Sequence, residues 1–428
     1  MAPGLLCKQW LHGILTRPCV PPSSGKKVPQ IAAWSQQPFE DLMLAELTRQ
    51  LGQADAQAYF SQYHNLRNAL PPIWEQIKGR EPFLSDHGTR HIQNVLENAE
   101  RILSKVDRDK GLTGVELYCL GIAILFHDVG NIDGRKQHND MRRIAEIYDH
   151  VNAGGIRQQE KGIILRIANA HTGHARDGSK DTLRDFDPEP TMSLIGRPVR
   201  VQELAAILRL ADELAEGPQR TVEFMRSKGR YPDVAARHHD YASITDIAID
   251  PGNERIAISY NIPIPTPNGS LAHGIPDLRE LLLFAFTRLE KLDQERKYAR
   301  FYSKLLDPLK TVRVHIDFWL NGSLLELNLP PLELNDKTIP GDQCKAIALV
   351  NPSYNLDTLL LAIQNAAPQD TSHHAATEIT PPQETPQSSS AKARLSSLQS
   401  SSTDKADSDL PRPFSLLRYI SGLFGGNR

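Results

Sequence analysis

The chain has 428 residues, 40% hydrophobic and 23% charged, with a formal net charge of −2. That length has room for two or three domains with real cores. The near-neutral balance excludes a global electrostatic bias toward nucleic acid or a membrane surface, so any charge that handles phosphate must be local.

Residues 1–39 contain no Asp or Glu but carry Lys8, Arg17, Lys26 and Lys27 beside Leu5, Leu6, Trp10, Leu11 and Ile14. This basic, acid-free start reads as a poorly ordered extension, with an organelle transit peptide as the alternative. From residue 40 to 80, apolar residues recur three or four apart and predict helices. Another helix should begin near Gly88, and more are expected over 114–127, 138–151, 156–171 and 198–215, between Gly, Asp and Pro clusters. Residues 40–220 are therefore expected to form one helical domain.

After residue 220 the pattern changes. "YASITDIAID" and "RIAISYNIPI" flank "PGNE" and predict a hairpin, "DLRELLLFAFTRLEKLDQERKYARFYSKLL" a helix, and "KTVRVHIDFWL" another strand. Residues 221–350 are expected to be a smaller α+β domain. Residues 366–428 form a Ser/Thr/Pro/Gln-rich stretch expected to be disordered, closing on "FSLLRYISGLF", an apolar segment suited to a protein partner or a membrane surface. The expected fold class is mainly α: an all-helical bundle domain, then the smaller α+β domain, then the disordered tail. No apolar run was found to approach the roughly 18 to 20 residues of a bilayer span. Cys7, Cys19, Cys119 and Cys344 lack CxxC spacing, which fits a cytoplasmic protein without a cysteine zinc site.

Within the helical block, histidines and aspartates cluster at predicted helix ends. "SDHGTRHIQNV" holds His87 and His91, which share a face if the helix is under way at His87. "LGIAILFHDVGN" ends an apolar run in His127 and Asp128, "ANAHTGHARD" carries His171 and His174, and "AAILRLADELAEG" places Asp212 behind another apolar run. His138 opens one more helix. One such histidine is more often a cap than a ligand, but a carboxylate set against apolar neighbours needs a cation or hydrogen bonds to stay ionised. Imidazole with carboxylate and no thiolate suits a divalent ion such as Mn, Fe, Co, Ni, Zn or Mg. A second His–Asp pair, His239–Asp240 in "ARHHDYAS", follows no apolar helix and is read as unrelated to metal binding.

The order His91, His127–Asp128, Asp212, each on its own predicted helix, resembles the HD superfamily of metal-dependent phosphohydrolases, with "LFHDVGN" close to that family's "LHDIG". The resemblance covers about residues 84–220. It implies His91, His127, Asp128 and Asp212 as ligands of a divalent metal, with His138 and His171 matching the extra histidines of subfamilies that hold two. The cyclic-dinucleotide branch is not implied, because "HTGHARDGSKDTL" has neither adjacent histidines nor a Gly-Tyr-Pro signature.

On this reading the substrate is a nucleotide or related phosphoester, attacked by a metal-activated water. Asp128 is the expected bridging ligand and proton acceptor, and His87, His174 and Glu213 are candidate acids for the leaving oxygen. Arg90, beside His91, and Arg220 are the arginines chosen for phosphate contact. No glycine-rich phosphate loop supports a kinase or NTPase. The competing class is a catalytically silent HD-type module that senses a nucleotide or binds a protein.

Overall fold

Two prolines and a glycine punctuate the N-terminal end of the fold. The computed structural model describes residues 34–368, apart from 82, 84, 135–137, 139, 153–157 and 337–346. Helices α1 (Pro38–Leu51) and α3 (Pro71–Arg80) each begin on proline, whose fixed φ suits the first helical position, and Gly52 at φ +84 separates α1 from α2 (Gln53–Ala69). Then comes α4 (Thr89–Leu103), whose apolar residues recur three and four apart and bury Ile92, Val95, Leu96, Ala99 and Ile102.

The central element is α5 (Gly114–Phe126), buried at every residue. A capping box starts it: Thr113 Oγ1 accepts from Glu116 N while Glu116 Oε2 accepts from Thr113 N. Around it pack α1, α2, α4, α7 (Gln158–Asn169) and α8 (Val201–Glu213). Helix α6 (Met141–Val151) lies against α7, and a short hairpin of β1 (Met192–Leu194) and β2 (Arg197–Val199) precedes α8.

The expected helices hold, with shifted ends. Helix α4 begins after Gly88, so His87 lies ahead of the first turn and does not share a helical face with His91. Helix α6 begins at Met141 because Asp140 caps it, accepting from Arg142 N, so His138 precedes the helix instead of opening it. The stretch Gly114–Asp133 is long and apolar enough to cross a membrane, which corrects the expectation that no run is. Its most apolar 18 residues are nevertheless 94% buried within the fold, as in a core helix.

Beyond α8 come α9 (Glu223–Ser227) and α10 (Asp233–Ile244), neither expected from the sequence. The predicted strand over 241–250 is thus half helix: Tyr241 to Ile244 finish α10, and β3 (Thr245–Asp250) begins where it ends. Strand β3 pairs antiparallel with β4 (Arg255–Ile264) through the expected turn. Helix α11 (Leu271–Tyr302) then leads to β5 (Thr311–Leu320), parallel to β4 with Arg255 opposite Thr311 and Ile264 opposite Leu320. The free edge of β5 takes β6 (Ser323–Leu325) at one end and β7 (Leu332–Asn335) at the other. Two helices follow, α12 (Ile347–Val350) and α13 (Leu356–Ala366), the second on α11.

Alternation along β4 and β5 buries Ile256, Ile258, Tyr260 and Ile262 with Val312, Val314, Ile316 and Phe318. One hydrophobic core runs from the helical block through α11 into this sheet. Arg209 of α8 and Glu295 of α11 form a two-pronged ion pair across the expected boundary at residue 220, at 2.6 and 3.0 Å. The fold is mainly helical with a smaller sheet, as expected. Residues 1–33 and the Ser/Thr/Pro/Gln-rich stretch from residue 369, including "FSLLRYISGLF", lie outside the described residues.

Candidate metal centre

Three helices deliver four donors to one buried point. Helix α5 is apolar to its end and terminates at His127, whose Nδ1 donates to the carbonyl of Ile124 at 2.8 Å. That bond fixes the tautomer and leaves the Nε2 lone pair pointing inward. Asp128 follows directly, where the chain tightens into a 3₁₀ turn over Val129–Asp133. Helix α4 contributes His91 and the last turn of α8 contributes Asp212. His91 Nε2 lies 3.4 Å from His127 Nε2, 3.2 Å from Asp212 Oδ1 and 3.5 Å from Asp128 Oδ2. His127 Nε2 lies 3.2 Å from Asp128 Oδ2 and 3.6 Å from Asp212 Oδ1. All four ligand atoms fall within 4.8 Å of one another.

This donor set fits a divalent ion. Donors about 2.0 to 2.2 Å from a common centre stand roughly 3 to 3.5 Å apart, which matches the separations here. Two imidazole nitrogens and two carboxylates, with no thiolate, are borderline-to-hard ligands. His91, His127 and Asp128 are buried, while the Asp212 side chain is 26% exposed and marks the open side. Without an ion, burial lowers the His127 pKa, but Asp128 and Asp212 outweigh it and hold the ring well above its usual value. Burial raises both carboxylates, yet the facing histidines hold Asp128 and Asp212 well below the ordinary carboxylate range. The cluster is built to hold positive charge.

Residues 81–291 match the family model described as HD-CE. This chain carries an HD-type domain. No curated protein and no solved structure matches the chain. The match extends past residue 220 through α9, α10, β3 and β4 into α11.

The remaining candidates divide around the HD-type centre. His171, anchored by donating from Nδ1 to the carbonyl of Ala168 at 2.6 Å, places Nε2 3.7 Å from Asp128 Oδ1. His138 meets His171 edge-on, with 6.1 Å between ring centroids. These two flank the four-donor cluster without joining it. His87 Nε2 is 3.8 Å from Asp128 Oδ2 and 3.2 Å from the Arg220 guanidinium. Burial brings the His87 ring down to about 3, with Arg220 lowering it further against the pull of Asp128.

His174 is exposed on the loop after α7. Glu213 is partly buried and paired with Lys291 and with Arg288, the latter at 3.2 Å. Burial raises the Glu213 pKa, and the two cations more than reverse that, so it is ionised and has no proton to donate. Arg90 is exposed and lines a polar groove of about 260 Å³ with Asn94, Glu97 and Gln219, a groove that includes none of the four donors. His239 is a structural residue: its nitrogens meet Thr221 Oγ1 at 3.0 Å and the carbonyl of Phe83 at 3.2 Å, and its ring stacks on Tyr231.

One functional residue went unread in the sequence. Asn131, buried in the 3₁₀ turn, donates from Nδ2 to Asp128 Oδ1 at 3.0 Å and fixes that carboxylate's orientation. Its signal was its position in "HDVGN", one 3₁₀ turn after the aspartate.

Proposed function

We propose that the HD-type domain is a divalent-metal-dependent phosphohydrolase acting on a nucleotide or related phosphoester. The observation that supports it best is the convergence of His91, His127, Asp128 and Asp212, with the two Nε2 atoms 3.4 Å apart. These four residues would hold the ion. When bound, such an ion supplies a water acidified from a pKa near 15.7 to around 7 and polarises a phosphoryl oxygen.

The chain's own groups do the rest. His127 and His91 present nitrogen lone pairs from rigid helices, which keeps the donors in place without reorganisation. Asp128 stays ionised, turning Oδ2 to the histidines while Asn131 holds Oδ1, so it is the group placed to accept a proton from an attacking water. Arg220 meets His87, which in turn faces Asp128, and is suited to a phosphoryl oxygen.

The test has two stages. Metal content of the purified chain is measured with and without added manganese, beside His127→Ala and Asp128→Ala. A panel of nucleotides and a model phosphodiester is then assayed with manganese present. Hydrolysis that falls by roughly a thousandfold in both variants supports the reading. A metal-loaded chain that binds a nucleotide and leaves it intact is instead a sensing module.

A further inference from the structure

His87 and Arg220 come from stretches 133 residues apart and meet at the rim of the four-donor cluster. The partners of His87 define its protonation pattern by what each can do. Its Nδ1 is in short contact with the carbonyl oxygen of Ser85, which only accepts, so Nδ1 carries the hydrogen. Its Nε2 lies 3.2 Å from Arg220, which only donates, so Nε2 carries the lone pair. Both nitrogens are committed. The nitrogen facing Asp128 Oδ2 at 3.8 Å is therefore the one without a proton to give.

Arg220 is held as firmly. Its Nε donates to the carbonyl of Asp86 at 3.3 Å, its own carbonyl accepts from Asp86 N at 3.2 Å, and Glu216 Oε2 lies 3.9 Å from its NH1. The side chain is only 11% exposed. Within these contacts, Nε–H and one NH2 hydrogen are used, while NH1, with Glu216 Oε2 3.9 Å away, makes no hydrogen bond among the described residues. A guanidinium held against the same His87 nitrogen that faces Asp128 suits an anion with oxygens on two corners, as a phosphoryl group has.

We infer that His87 and Arg220 form a phosphoryl clamp in which His87, held at Nδ1 by the Ser85 carbonyl, is a positioning residue that aims Arg220. The inference rests on the phosphohydrolase reading. The contact at Nε2 gives the guanidinium one defined direction.

The probe is inorganic phosphate, titrated calorimetrically into the manganese-loaded full chain, with metal content measured on every sample. The wild-type chain binds phosphate. Arg220→Lys, which loses the fork, and His87→Ala, which loses the aim, each weaken it by about tenfold with manganese content unchanged. His87→Gln puts an accepting carbonyl near the place of Nε2, so it recovers affinity to within about threefold of wild type. Combining His87→Ala with Arg220→Ala costs little beyond Arg220→Ala alone, because the two residues act as one unit.

A His87→Ala chain that loses manganese makes His87 a ligand and overturns the clamp. So does a His87→Gln chain as weak as His87→Ala, or phosphate affinity indifferent to Arg220. A wild-type chain that takes up no manganese ends the phosphohydrolase reading itself, and the clamp with it.

Discussion

His91 Nε2 and His127 Nε2 face each other across 3.4 Å, from helices joined by nothing local in the chain. Two nitrogen lone pairs this close, flanked by Asp128 and Asp212, are stable only around positive charge. The two carboxylates raise the His127 pKa well above its usual value despite burial, so a proton competes with an ion for that nitrogen. The sign follows: a ring whose pKa is raised holds its proton more tightly, so manganese binding displaces protons. Calorimetry in buffers of different ionisation enthalpy should show release of about one proton per ion. Saturating manganese at about a hundred times its dissociation constant should stabilise the fold by about 2.7 kcal/mol, read as a rise in Tm that EDTA reverses. His127→Ala should lose both effects.

Asn131 acts one step behind the ligands. Its amide donates to Asp128 Oδ1 at 3.0 Å inside the fold, so the carboxylate's other oxygen stays turned toward the histidines. Removing such an orienting partner weakens metal binding by about ten- to a hundredfold. Asn131→Ala should therefore bind manganese in a titration with affinity reduced in that range, while its far-UV circular dichroism matches wild type. An unchanged affinity would show that the turn alone holds Asp128.

The sequence made some of this legible and hid the rest for physical reasons. The α5–His127–Asp128 junction could be read because an all-apolar run ending in two polar residues is a local signal, and all four donors sit near predicted helix ends. The standing of Glu213 could not be read, because Arg288 and Lys291, which ionise it, arrive from α11 more than seventy residues on. His87 was ambiguous because the start of α4 at Thr89 is a difference of two residues, within which a side chain leaves the helical face. The strand expected from Tyr241 failed because β-branched composition says little where tertiary packing extends a helix, and Tyr241 and Ile244 are buried as the end of α10.

Gly130 tests the packing behind the centre. A Cβ built there would meet the carbonyl oxygen of His138 at 2.0 Å, and the obstacle is backbone, which cannot swing aside. Gly130→Ala must therefore push apart the 3₁₀ turn that carries Asn131 and the segment that carries His138. Overpacking of this kind costs about 1–3 kcal/mol, and a backbone obstacle belongs at the upper end. Chemical denaturation should show a loss of about 3 kcal/mol. Gly162→Ala, with nothing near its Cβ in mid-α7, should show no loss.

Glu116 makes a pH-dependent contribution of known sign. It caps α5 through Thr113, and its Oε1 accepts from Arg200 N at 3.0 Å and Arg200 Nε at 2.8 Å, joining the start of α5 to the start of α8. Burial raises its pKa, but the bonds from Arg200 and Thr113 outweigh burial and bring it below the ordinary 4.5. A carboxyl whose folded pKa is depressed binds protons more readily when unfolded. Its contribution is complete above 4.5 and is lost as the pH falls from there through the lower folded value. Glu116→Gln keeps the shape and removes the charge, so it should cost about 2 kcal/mol at pH 7, where both ends of the charge-assisted pair count. Urea titrations at pH 7 and at acid pH should show the gap between wild type and variant closing as the pH drops below 4.5. A gap that stays constant would mean that Glu116 supports the α5–α8 junction by shape and neutral hydrogen bonds alone.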